Sequence, residues 1–209
     1  MTLPKELKEA ISQLTSKDKD KLIFRLLKKD LVLANQLLFE LVSDENVEEK
    51  RAQVKKLLGK RIELATTNFY STGYLHMDVR DMSGIITEHV KITKDKYGEA
   101  YLNLWMITEV LERNNENISS ASIGKAEKFC VSVIARAFKI LLLIKKLHED
   151  YRIEFEDNLI KLGRIIAENK YLMKFALLNG FDVNWLLKAE IPENIEQIHK
   201  DLRDRGYLR

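Results

Sequence analysis

Five side chains between positions 76 and 89 have the residue types of metal-assisted hydrolysis: His76, Asp78, Asp81, Glu88 and His89. Imidazoles and carboxylates together bind divalent cations and activate water. Their spacing works against that use. On one helix His76 and His89 lie about 20 Å apart at ~1.5 Å per residue, so a single ion cannot touch both. His89 falls in line with Met82 and Ile86, the placement of a core histidine. His148, followed by Glu149 and Asp150, is expected at the C-terminal end of a helix, where the dipole favours a cation. The single cysteine, Cys130, stands among Phe129, Val131, Val133 and Ile134 and reads as a small buried hydrophobe, not a nucleophile. No glycine-rich phosphate loop, dinucleotide fingerprint or serine elbow is present. No catalytic residue, cofactor or metal is expected, and metal-dependent hydrolysis ranks last among the readings.

Binding chemistry has better material. At about 100° per residue, Lys17, Lys21, Arg25 and Lys28 share one face of a helix, opposite Leu22, Ile23, Leu26 and Leu27. This basic stripe is the candidate partner-binding site, suited to an acidic protein surface or to phosphates. No aromatic residue is read as interleaved for base stacking. Residues 50–61 contain six basic side chains and no acid, but these scatter around their helix. Arg51 projects near the apolar stripe, where its stem packs while the guanidinium reaches an acidic group.

The elements that must position these groups are helices. Between Pro4 and Pro192 there is no proline, and the interior is rich in Leu, Ile, Lys, Glu and Ala. Thr15, Asp30 and Asn46 are expected caps, and Leu33, Leu37, Leu38 and Leu41 carry one of several stripes of helical period. Residues 66–73 and 93–98 read as turns and residues 114–124, rich in Ser and Asn, as a long loop. Residues 125–148 read as the central apolar helix. An alternation of Tyr151, Ile153 and Phe155 with charged neighbours is the one strand-like pattern, too short to make a sheet. Gly180 and Gly206 are expected to end helices, Asp182 to cap a short helix, and Pro192 to start the last one. Gly59, Gly84 and Gly163 fall within helices and suggest close packing.

The 209 residues suffice for one domain with a buried core, with a helical subdomain over residues 1–70 packed on residues 71–209. The net charge is +3, from 35 basic and 32 acidic residues mixed along the chain, a weak nucleic-acid signal. One cysteine, no apolar leader and no uninterrupted apolar stretch of membrane length make a cytoplasmic, non-membrane protein the expectation. Residues 17–30 (KDKDKLIFRLLKKD) and 93–102 (TKDKYGEAYL) resemble patterns in uncharacterised bacterial proteins of the α-α superhelix kind, over about a tenth of the chain. The resemblance implies a fold and no activity.

The expectation is therefore an all-α fold of about ten helices, an α-α superhelix or solenoid-like bundle, serving as a non-catalytic scaffold. Its partner is expected to be a protein first and a nucleic acid second, held by a groove or by the basic helix face.

Overall fold

Caps punctuate the chain where proline does not. In the computed structural model, which describes residues 3–209, Thr15, Asp30 and Asn46 each accept a hydrogen bond from a backbone N–H three residues on, and the Glu49 carboxylate accepts one in turn from the Asn46 N–H. Satisfying these orphan donors fixes where each helix starts. The helices are α1 (Lys5–Ser12), α2 (Ser16–Leu27), α3 (Leu31–Leu41), α4 (Val47–Thr67), α5 (Thr72–Thr93), α6 (Lys96–Ser120), α7 (Ile123–Lys145), α8 (Glu149–Arg152), α9 (Glu156–Glu168), α10 (Lys170–Leu178), α11 (Asn184–Leu187) and α12 (Ile195–Asp204). A 3₁₀ turn over Ile153–Phe155 takes the place of the strand-like alternation, and the described residues contain no strand. The fold is all-α. Met1 and Thr2, the start of the segment read for an export signal, lie outside the described residues.

Helices α4 to α7 each pack on their next neighbour, and α4 also meets α6 while α5 meets α7. The later helices then fold back, α9 onto α6 and α10 and α12 onto α7, which closes the stack into a bundle. Two long helices run through the middle. The apolar face of α7 is buried at Phe129, Val133, Ala137, Phe138, Leu141 and Ile144. Helix α6 is buried on more than one side, as its dense apolar run requires. The core begins at Leu58 and continues to Leu208.

The polar stretch at 114–124 is helical through Ser120, against the loop expectation. Its amides have partners that lie far away in sequence. Asn114 donates to Thr66 Oγ1 on α4 at 2.9 Å, and Asn169, which caps α10, donates to Asn115 Oδ1 at 2.6 Å and to Ser119 Oγ at 3.1 Å. A buried polar group so satisfied is compatible with a helix inside the bundle. Helix α7 stops at Lys145, three residues short of the expected end, so His148 is not at its C-terminus. His148 instead precedes α8, its Nδ1 3.2 Å from Asp150 Oδ2. The last helix starts at Ile195, after Pro192, and Asp182 sets up α11 by accepting the Asn184 N–H at 3.0 Å. Of Gly59, Gly84 and Gly163, the three glycines expected inside helices, only Gly163 is tightly packed: a Cβ there would meet Leu186 Cβ and Leu187 N at 2.9 Å, whereas nothing would lie within 4 Å of one at Gly84.

The turn between α5 and α6 holds the one buried charge cluster of the described residues. Asp95, 4% exposed at its side chain, accepts from Arg51 Nε at 2.7 Å and Arg51 Nη2 at 3.0 Å, from His89 Nε2 at 3.1 Å and from the Gly98 N–H at 2.7 Å. Three helices meet at one carboxylate. Arg51 brings α4, His89 brings α5 and Gly98 is the first turn of α6. Only glycine fits at 98, because a Cβ would stand 1.9 Å from Asp95 Oδ2 and 2.9 Å from Arg51 Nε. Burial by itself pushes the Asp95 carboxyl up, but the hydrogen bonds from His89, Arg51 and Gly98 and the charge of Arg51 together hold it at about 2.

Lowering this pKa from 3.8 to about 2 stabilises the fold above the unfolded value, and that stability is lost as pH falls through the folded one. Acid unfolding should therefore show a loss of about 2 kcal/mol between roughly pH 4 and pH 2, a segment that Asp95→Asn flattens. Asp95→Ala should cost about 3–5 kcal/mol in denaturant unfolding, since it strands the partly buried Arg51. Gly98→Ala should cost at least 1 kcal/mol by overpacking.

Candidate functional site

The candidate hydrolytic residues are divided among separate surroundings. His76 faces α7 beside Lys128 and Arg136, Asp78 and Asp81 line the cleft between α4 and α5, and His89 points inward to Asp95. Among the described residues no three His, Cys, Asp or Glu side chains converge as a metal-ligating group. Burial first, then Lys128, Arg80 and Arg136, lower the pKa of His76, while burial and the neighbouring Asp81 raise that of Asp78 against the pull of Arg61. Cys130 is fully buried in α7 and burial pushes its thiol up to about 12. A thiol in that state is not a nucleophile near neutral pH.

Half of the basic run on α4, Lys50, Arg51 and Lys55, is engaged in intramolecular contacts, while Lys56, Lys60 and Arg61 are exposed. Arg51 stacks over Tyr97 at 4.7 Å while holding Asp95, and Lys55 lies over Tyr101 at 4.8 Å and Trp105 at 5.1 Å. These aromatic faces and carboxylates spread its charge into packing.

The stripe on α2 is different, because the N-terminal three helices are built unlike the long helices α4 to α7. None of α1, α2 and α3 contains a buried residue. Short junctions would press such helices together, but the apolar stripe of α2 is left open, with Ile23 and Leu26 exposed and Leu22 and Leu27 half-buried. Helix α3 packs on α5 and still presents Leu31, Leu38 and Leu41 to solvent. Between α1 and α2 runs an open groove lined by Leu7, Ala10, Ile11, Leu14 and Leu22 and by the charged Asp18, Lys21 and Arg25. Two stripe residues thus line a largely apolar groove.

Lys17 and Lys28 are exposed elsewhere on the same face, and Lys21 pairs with Asp18 at 3.2 Å on the open surface, an ion pair of small energetic weight. One expectation is corrected: an aromatic residue does accompany the cations. Phe24, 62% exposed, lies about 20° around the helix from Lys17. Assigning Phe24 to the apolar side from its neighbours Ile23 and Leu26 hides this; its angular position relative to Lys17 shows it. Residues 5–29 contain eight basic and four acidic side chains, an excess larger than that of the whole chain.

No family model matches the chain, nor does any curated protein or solved structure. No helix among the described residues is long and apolar enough to cross a membrane.

With Cys130 enclosed, a disulfide-exchange thiol reagent at neutral pH should modify no thiol in the folded chain and one per chain in denaturant. Rapid labelling of the native protein would show that the α6–α7 packing opens around this residue.

Proposed function

We propose that the chain is a non-catalytic helical scaffold whose N-terminal arm, α1 to α3, docks another protein. The observation that carries this reading is the surplus of large apolar side chains that the arm exposes, among them Leu7, Ile23, Phe24, Leu26, Leu31 and Leu41. Single exposed hydrophobics are ordinary on any surface, whereas so many on three successive helices is the composition of an interface. The long helices α4 to α7 each bury part of their apolar stripe, so the absence of any buried residue in α1 to α3 belongs to the arm and not to the composition of the chain.

The chemistry of the arm favours a helical, acidic partner. An amphipathic helix laid in the α1–α2 groove would set its apolar anchors on Leu7, Ile11, Leu14 and Leu22. Acidic residues flanking those anchors would meet Lys21 and Arg25, with Lys17 and Lys28 extending the positive face. Such charges steer association and select the partner more than they add affinity.

Affinity capture with the full chain, after nuclease treatment, tests this against two variants: Phe24→Asp/Leu26→Asp, and Lys21→Glu/Arg25→Glu. All four positions are exposed, so both variants should unfold at the wild-type temperature within about 2 °C. The expected outcome is a defined protein retained by the wild type and lost with the aspartate pair. With the charge-reversal pair that protein should bind about tenfold more slowly or worse. Recovery of nothing above background, recovery that only nucleic acid sustains, or equal recovery by wild type and variants would contradict the proposal.

A further inference from the structure

A second cavity, apart from the arm, lies between α5 and α7 and is closed on one side by the chain after α12. It measures about 420 Å³. Of its ten lining residues none is acidic and five are cationic or can become so: His76, Lys128, Arg136, Lys139 and Arg209. The remaining wall is apolar or small, with Val131, Ala135 and Leu208 beside the hydroxyls of Ser83 and Ser132.

Arg136 is the informative member. It rises from the middle of the most apolar helix and is only partly exposed. Its one hydrogen bond to a described residue goes to a neutral acceptor, Asn103 Oδ1, at 3.0 Å. Asn103 is itself buried and fixed by donating to Glu99 O at 2.7 Å. A guanidinium with so little water and no carboxylate partner is an unfavourable thing for a fold to maintain, and substitution by an apolar residue would remove the cost. Elsewhere the chain solves the same problem with Asp95, which takes Arg51 bidentately. Here Asn103 aims the guanidinium without neutralising it.

The surroundings do not supply the missing charge. Lys139 is partly neutralised by Glu99 at 3.2 Å, but Lys128 forms none of the described ion pairs. Burial together with Lys128, Arg80 and Arg136 lowers the pKa of His76, as a positive local potential requires. The far wall is held with equal definition. Leu208 sits at φ +62°, a conformation that costs a branched residue energy, and is clamped by its N–H to Asn179 Oδ1 at 2.8 Å and by Arg203 Nη1 to its carbonyl at 2.6 Å. That clamp presents Arg209 at the cavity edge.

The geometry points to a binding site for a small phosphomonoester, with the phosphate on Arg136, Lys128 and Arg209 and an apolar or aromatic body against Val131, Ala135 and Leu208. A planar guanidinium suits two phosphate oxygens at once, and the volume admits a phosphate with a ring attached. In its neutral form His76 can donate one N–H, and it can take up a proton as the dianion arrives.

Calorimetric titration of the full chain with phenyl phosphate, inorganic phosphate, benzyl alcohol and a short RNA duplex decides it. Phenyl phosphate should bind with one site per chain, at least tenfold tighter than inorganic phosphate, with no binding of the alcohol and no stronger binding of the duplex. Arg136→Gln should weaken phenyl phosphate about tenfold or more, and the exposed Lys128→Glu, which leaves folding unaffected, should do so by a similar factor. NMR titration of the His76 ring should show its pKa rise when phenyl phosphate is bound. The proposal is overturned by absent binding at 10 mM ligand (about 10 mM marks an affinity too weak for a built site), by affinity indifferent to Lys128→Glu, or by duplex RNA outcompeting phenyl phosphate. Loss of this site would leave the partner-docking role of the arm untouched, because no arm residue lines it.

Discussion

One carboxylate ties the long helices together. Asp95 is buried at the junction of α5 and α6 and accepts from a guanidinium on α4, an imidazole on α5 and a backbone amide of α6. A buried ion pair is a poor source of net stability, since desolvation offsets most of the Coulomb gain. Its value here is in placement. Four donors converge on two oxygens in a space so narrow that residue 98 has no room for a Cβ. The axial positions of α4, α5 and α6 are fixed against one another, and a slide of one helix by a turn would break the pair and bury an unmatched charge. The aromatic stack of Tyr97 and Tyr101 over α4 then packs on a framework already set, with Arg51 and Lys55 laid across the rings.

The division of the chain follows from where that framework starts. Downstream of α4 the long helices bury their stripes, and α6 and α7 are enclosed by α5, α9 and α10. Upstream, three helices with apolar stripes lean on the bundle chiefly at α5, through α3. The burial that normally favours a helical stripe is therefore incomplete in α1 to α3, and the free energy of covering it remains open to another molecule. An uncovered stripe bordered by cations is a basis for association that requires no rearrangement of the bundle.

Much of the fold was legible in the sequence, because helix class depends on local signals. The lack of proline, the caps at Thr15, Asp30 and Asn46, and the stripe of α7 are each written within a few residues. Arg51 was also legible, since a long cation beside an apolar stripe needs an acid, although nothing local named Asp95 as that acid. What the sequence hid was long-range. The amides of residues 114–120 look like loop residues until Thr66 and Asn169 supply their partners, and the end of α7 depends on how α8 turns away. Exposure of the arm was hidden for the same reason, because a stripe has the same pattern whether or not something covers it. The cation-lined cavity had a local trace: Lys128, Arg136 and Lys139 share one face of an otherwise apolar helix, and the cavity appears only when His76 and Arg209 face it.

The central claim is that the free chain is a closed bundle with an uncovered arm. Hydrogen exchange of the amides of the isolated protein, measured at two protein concentrations, reads it directly. Amides of α6 and α7 should exchange only through global unfolding, while those of α1 to α3 should exchange orders of magnitude faster at both concentrations. Equal protection of the arm and the bundle, or arm protection that rises with concentration, would contradict the account, because the apolar stripes would then already be covered by the chain itself or by a second copy of it.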